Sequence, residues 1–355
     1  MRKLICTLAT MLIVGPAFAF SPIASWTTQA TILPNAANQA GLTLQGSDLY
    51  FVGGQDEVGD TDKVWRFPVN AGTGALDAAV ATTALPALNN FAYVFEQVSS
   101  TSTTVYVAGG GWNTAVPTLW DRVHYAPINA GGQLGAWTAS STFPASYKLQ
   151  LGGSVVANGF IYVFAGNDDS GAGVLFNNVY YAALGAGGAP GAWQTGTVLP
   201  QACWFTGSTV VGNYLVVNPG LTGAGNTTTT DLIYTAPINP TTGAVGAWTT
   251  QAVPLPAQRY NLNLSTVGNT IFAIGGRASG GTAVDSVWMA DFNTTTGILG
   301  VWNTSSAVLP ATIRYHDVAY SPATNRLYVL ATGNQAFISS PLTTASGAQS
   351  WSAYN

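Results

Sequence analysis

The chain is 355 residues long, 47% hydrophobic and only 7% charged, with 41 glycines. Its 10 basic and 14 acidic side chains give a net charge of −4, and no basic tract marks a surface for nucleic acid or anionic membrane. Two cysteines cannot build a structural zinc site, and glycine and threonine spread throughout suit strands and tight turns better than helices.

Residues 1–19 read as an export signal. Arg2 and Lys3 form a basic start, residues 4–14 are an apolar run too short to span a bilayer, and Ala17-Phe18-Ala19 supplies a small-x-small cleavage pattern. Cleavage before Phe20 leaves 336 residues with 8 basic and 14 acidic side chains, exported to the periplasm or the extracellular space. Beyond Ala19 no apolar run approaches 18 residues, so no membrane insertion is expected. Cys203 is then the one remaining cysteine and has no partner for an intramolecular disulfide.

The rest of the chain is one unit repeated. Leu-Pro, once Phe-Pro, recurs at Pro34, Pro86, Pro144, Pro200, Pro256 and Pro310, at intervals of 52, 58, 56, 56 and 54 residues. A second marker, an apolar strand ending in glycine, closes at Gly54, Gly110, Gly166, Gly220, Gly276 and Gly333. A third strand follows, with Asp or Asn two residues before a β-branched–aromatic pair: Asp62, Asp121, Asn177, Asp231 and Asp285, with a degenerate copy at Asn334-Gln335-Ala336-Phe337. A fourth carries Trp137, Trp193, Trp248 or Trp302 after a glycine turn, and Ala79 stands at that place in the first unit. Six units of four strands are expected, over residues 34–85, 86–143, 144–199, 200–255, 256–309 and 310–355.

The pattern resembles kelch-type β-propellers, the family that includes the propeller domain of galactose oxidase. The likeness rests on the paired glycines Gly53-Gly54, Gly109-Gly110 and Gly275-Gly276, the downstream aromatics and the later tryptophans. The tryptophan lies farther from the third-strand aromatic than is usual for kelch, so the match is to the broad class. It implies an all-β, six-bladed propeller of four-stranded antiparallel blades. Two segments could close the ring. Ser25-Trp26-Thr27-Thr28-Gln29-Ala30 nearly duplicates Ala247-Trp248-Thr249-Thr250-Gln251-Ala252, and a shorter copy stands at Trp351. The longer N-terminal match favours residues 20–33 as the closing strand of the last blade.

Candidate ligands and catalysts are few. The repeated Asp and Asn residues recur where a loop enters a strand, where an Asx side chain holds the turn. The segment from Asp56 to Asp62 has oxygen ligands enough for calcium but lacks EF-hand spacing, and reads as a solvated acidic loop. His124 replaces the third-strand aromatic of other units. Tyr315-His316 resembles part of the copper site of galactose oxidase and Cys203-Trp204 its thioether cysteine, but a second inner-strand histidine is missing. Neither a metal nor a cofactor is therefore expected.

The units disagree most strongly four residues after each repeated proline, near the expected mouth of the central channel. Asn38, Asn90, Lys148, Trp204, Tyr260 and Arg314 stand there, with Arg259, Tyr315 and His316 beside them. Positions facing a shared cavity have no common packing role, so Lys148, Trp204, Arg259, Tyr260, Arg314, Tyr315 and His316 are the expected ligand-binding residues. Cations beside aromatic faces suit a hydroxyl-rich, acidic sugar. The chain shows no hydrolase triad, phosphate loop or metalloprotease helix, and a non-enzymatic binding module for a glycan or protein is the leading expectation. A sugar-processing enzyme comes second. Length, leader and six units are similar to the bacterial periplasmic sialic acid mutarotases, with Asp317, His316 and Arg314 the available acid–base groups. A structural cell-surface role comes third.

Overall fold

The computed structural model describes residues 23–30, 37–38, 40–56, 59–60, 62–86, 97–109, 121–147, 149–168, 173–223, 227–331 and 334–342. Six antiparallel sheets carry the architecture. Their first strands are Gly41–Gln45, Gln97–Thr101, Gly153–Ala157, Gly207–Val211, Asn263–Val267 and Asp317–Ser321. Each first strand neighbours the next, and the sixth neighbours the first, so the six form a closed inner wall. Successive strands of each sheet step outward from that wall, and the sheets are called blades 1 to 6 in chain order.

Burial on both faces marks this stacking. Second strands such as Asp48–Val52, Thr104–Ala108 and Thr270–Ile274 are buried along their whole length, because both faces of a blade meet a neighbour. Six apolar clusters follow, each shared by two successive blades. Phe272, Ile274 and Met289 of blade 5 pack on Leu327, Val329 and Phe337 of blade 6, while Tyr328 and Ile338 of blade 6 pack on Leu49 and Phe67 of blade 1. Burying a Phe or Leu side chain contributes about 1.5–3 kcal/mol, so no single interface dominates the ring.

Polar ties repeat between blades. Tyr50, Tyr106, Tyr162 and Tyr328 each donate a hydroxyl hydrogen to the carbonyl of Gly132, Gly188, Gly243 or Gly74 on the following blade, at 2.7, 2.8, 3.1 and 2.8 Å. The fourth-strand tryptophans reach back: the indole N–H of Trp137, Trp193 and Trp248 donates to Thr83, Ser141 and Thr197 of the preceding blade. Trp302 departs from this rule, its buried nitrogen lacking a partner. At the repeated Asx positions the recurring bond is made by the main-chain carbonyl and not, as expected, by the side chain, although the Asn177 amide also donates to Leu199 O at 3.2 Å. The carbonyls of Asp62, Asp121, Asn177, Asp231 and Asp285 accept from the N–H of the residue before each repeated proline. His124 shares the strand register of Trp65, Tyr180, Tyr234 and Trp288. Burial, chiefly, lowers its pKa to about 4.

Blade 6 takes its outer strand from the N-terminus: Trp26–Ala30 pairs antiparallel with Gln335–Ser339. The duplicated sequence performs a duplicated task. Gln251 of blade 4 accepts from Leu299 N–H and donates to Gly297 O of blade 5, at 2.9 and 3.0 Å. Gln29 accepts from Leu76 N–H and donates to Leu76 O of blade 1, at 2.9 and 2.6 Å. Trp26 completes the correspondence by donating to Ala307 O of blade 5. The alternative closing segment at Trp351 lies outside the described residues.

Candidate functional site

Above the inner wall, the chain entering a blade pairs with the hairpin joining that blade's second and third strands. Cys203–Trp204 pairs with Leu221–Thr222, and Arg259–Tyr260 with Arg277–Ala278. A kink then turns the chain down into the wall. It falls at Leu151, Phe205, Asn261 and Tyr315, with φ of 54°, 53°, 54° and 53°, always two residues before the inner strand begins. The facing strand must leave room for the kink. A Cβ on Gly276 would lie 2.8 Å from Leu262 Cα, and one on Gly220 would strike the Phe205 carbonyl. These close approaches explain the glycines that end each second strand.

The inner wall encloses a channel of about 430 Å³ to which all six blades contribute. Hydroxyls dominate its polar lining, and some pair across blades: Thr43 with Ser100 at 2.6 Å, Thr209 with Thr266 at 2.9 Å. At its mouth, blades 4, 5 and 6 bring an aromatic cluster together. Phe205 lies 4.5 Å from Trp204, 5.7 Å from Tyr260 and 6.2 Å from Tyr315, centroid to centroid. The Arg277 guanidinium sits 5.3 Å from the Tyr260 ring and 5.5 Å from the Tyr315 ring, and donates to the Tyr315 hydroxyl oxygen at 2.9 Å. Arg314, exposed, lies 5.5 Å from the Tyr315 ring. Among the described residues neither guanidinium meets a carboxylate. The mouth therefore offers flat apolar faces and two cations that no carboxylate of the described residues neutralises.

Just below Tyr315, Asp317 faces the channel. Its carboxylate accepts from Leu42 N–H of blade 1 at 2.8 Å, from the Asn263 amide of blade 5 at 2.6 Å and from Val318 N–H at 2.7 Å. Burial outweighs these three donors and pushes its pKa up to about 7. His316 is buried, with Nε2 3.0 Å from Ile274 O, and burial holds its pKa down at about 4.

No family model matches the chain, and no curated protein does. Among solved structures, that of YjhT superposes with a TM-score of 0.61 over 88% of this chain and 96% of that one, at 13% identity. The chain is a β-propeller. Against this propeller geometry, Trp204, Tyr260, Arg314 and Tyr315 come together at the mouth as the sequence suggested. Lys148 lies outside the described residues. Arg259 turns the other way, buried with its guanidinium 4.5 Å from the Trp288 ring centroid and donating to Gln258 O and the Ser286 hydroxyl. Successive residues of a strand point to opposite faces, so Arg259 and Tyr260 cannot both face the mouth.

Three residues of the mouth were not foreseen. Phe205 and Asn261 stand one place beyond the positions chosen from the sequence, because a left-handed kink at a non-glycine residue leaves no sequence mark. Arg277 comes from the second-to-third-strand hairpin; Arg277 directly after Gly275-Gly276 was the available signal. Among the described residues no group of three or more metal-ligating side chains gathers, and no helix is long and apolar enough to cross a membrane. The acidic segment between Asp56 and Asp62 lies partly outside the described residues.

Proposed function

We propose that this propeller is an exported, non-enzymatic binding module whose channel mouth holds an acidic sugar. One observation carries the reading: two guanidinium groups, on Arg277 and Arg314, flank the Tyr315 ring and meet no carboxylate among the described residues. A guanidinium recognises a carboxylate through parallel N–H donors, and aromatic faces beside it suit the C–H face of a pyranose. The glycines that clear the blade kinks support assigning its six units to the kelch class.

The test is binding of the purified protein to a broad glycan array and, by calorimetry, to sodium glucuronate and N-acetylneuraminate, with Arg277→Ala and Arg314→Ala alongside. Binding lost in both variants supports the reading. Silence across array and calorimeter, with all three proteins folded, discards the sugar and turns the search to a protein ligand.

A second reading is favoured by Asp317. A channel-facing carboxyl whose pKa is pushed up to about 7 can both give and take a proton at neutral pH, as a sugar-processing enzyme of the mutarotase kind requires. Anomer interconversion of free N-acetylneuraminate, followed by NMR in wild type and Asp317→Asn, separates the two. Faster interconversion that disappears in the variant would replace binding by catalysis.

A further inference from the structure

The kink that leads into each inner strand places one residue in the left-handed backbone region. Glycine adopts that region without penalty, whereas a residue with a Cβ is strained there, and bulky side chains most of all. At the end of the facing strand most left-handed positions are glycine, Gly53, Gly109, Gly166, Gly220 and Gly276 having φ of 65°, 66°, 90°, 66° and 91°, and Ala165 at 60° departs from that rule. At the kink the chain uses Leu151, Phe205, Asn261 and Tyr315 instead. The backbone is the same in the four blades, yet the side chains are aliphatic, aromatic, amide and phenolic. All four line one channel.

A purely structural role would be filled better by glycine, in a chain that has 41 of them. Backbone strain retained at Leu151, Phe205 and Tyr315, with Asn261 the one kink residue whose side chain tolerates the region, marks a position kept for what it touches. We infer that Leu151, Phe205, Asn261 and Tyr315 form a collar that selects the ligand by shape, taking the apolar face of a saturated ring across Phe205 and Tyr315. The rings of Phe205 and Tyr315, from blades 4 and 6, approach to 6.2 Å across blade 5. Asn261, on blade 5, spends its side-chain oxygen on Tyr315 N–H at 2.6 Å, which leaves its amide hydrogens for the polar edge of the ligand. Leu151 of blade 3 extends the apolar side. Arg277 and Arg314 then read charge, and the collar reads the ring. The identity of the ligand rests on the acidic-sugar reading; the role of the collar does not.

The test compares Phe205→Gly and Phe205→Ala, and Tyr315→Gly and Tyr315→Ala, by thermal melting and by calorimetry with sodium glucuronate and N-acetylneuraminate. Glycine removes the strain together with the side chain, whereas alanine removes the side chain and keeps the strain. The glycine variants are expected to melt above their alanine counterparts and within about 2 °C of wild type, while affinity falls at least about tenfold. Glycine variants that melt more than about 5 °C below wild type would show that the fold itself needs these side chains and overturn the collar. Wild-type affinity in both glycine variants would overturn it as well. If wild type binds neither acid, the acidic-sugar reading fails, the same four variants are carried to the glycan array, and unchanged binding of an array hit by both glycine variants overturns the collar.

Discussion

Replacing Gln29 by methionine removes a single amide from the ring closure and leaves side-chain length almost unchanged. In the native protein that amide satisfies both main-chain groups of Leu76, N–H at 2.9 Å and carbonyl at 2.6 Å, and Leu76 is only 4% exposed. An abandoned buried polar group costs about 1–3 kcal/mol, and two of them sharing residual access to water cost about 2–4 kcal/mol together. An unfolding entropy of roughly 2 cal/mol/K per residue over a chain of this length converts that to a Tm lower by about 3–6 °C. Gln251→Met is the internal standard, since Gln251 likewise accepts from one main-chain N–H and donates to one main-chain carbonyl of the next blade; it also donates to the Thr235 hydroxyl at 2.6 Å, so its loss should be equal or somewhat larger. Differential scanning calorimetry of both variants should show comparable losses. A neutral Gln29→Met beside a costly Gln251→Met would mean that the N-terminal strand does not close the ring in solution, and the argument from the duplicated Trp-Thr-Thr-Gln-Ala would fail.

Tyr162→Phe orphans the Gly243 carbonyl between blades 3 and 4 and should cost about 1–2 kcal/mol in urea unfolding; no loss would reduce the tyrosine ties to packing alone. Trp193→Phe should cost more than Trp302→Phe measured against the lost hydrogen bond, because Trp302 has none to lose. Asp317 sets a pH signature. Its folded pKa of about 7 lies above its ordinary value, so the folded form holds the proton where the unfolded chain has released it. The stability it contributes is full below about pH 4 and is lost as pH rises through about 7. The Tm of wild type minus that of Asp317→Asn should therefore grow as pH falls from 8 to 5, and a constant difference would refute the assignment. Cys203 is buried and its thiol pushed up to about 12 by that burial; iodoacetamide should label it only at the rate of opening, and fast labelling of folded protein would contradict the packing around it.

The sequence carried the architecture because its information is periodic. Most blades repeat the same demands: glycine opposite the kink, tryptophan at the outer edge, leucine or once phenylalanine before proline tied back to the carbonyl at the Asx position. Even the closure was legible, since Gln29 and Gln251 occupy matching places in matching segments. The mouth was less legible because it is where periodicity stops. Counting from the proline gave Trp204 and Tyr260 but not Phe205 and Asn261, as the kink shifts which residue points inward. Alternation along the short strand Arg259–Tyr260 could have removed Arg259. Arg277 directly after Gly275-Gly276 hinted at a residue on the mouth hairpin, but its partner Tyr315, 38 positions away, followed from no local pattern.

The closing strand also fixes the order in which the molecule can be completed. Ser340 accepts a hydrogen bond from Ala24 across 316 positions of chain, so a strand that precedes blade 1 in the chain is matched to blade 6. Five blades can form from contacts within some tens of residues, but the sixth lacks its edge until the whole chain is present. Closing a loop of that length is entropically unfavourable and slow relative to local strand pairing. Until it closes, the edge of Gln335–Ser339 and the apolar faces of blades 6 and 1 stand open to other chains. Removing either Trp26–Ala30 or Gln335–Ser339 therefore loses the same seam.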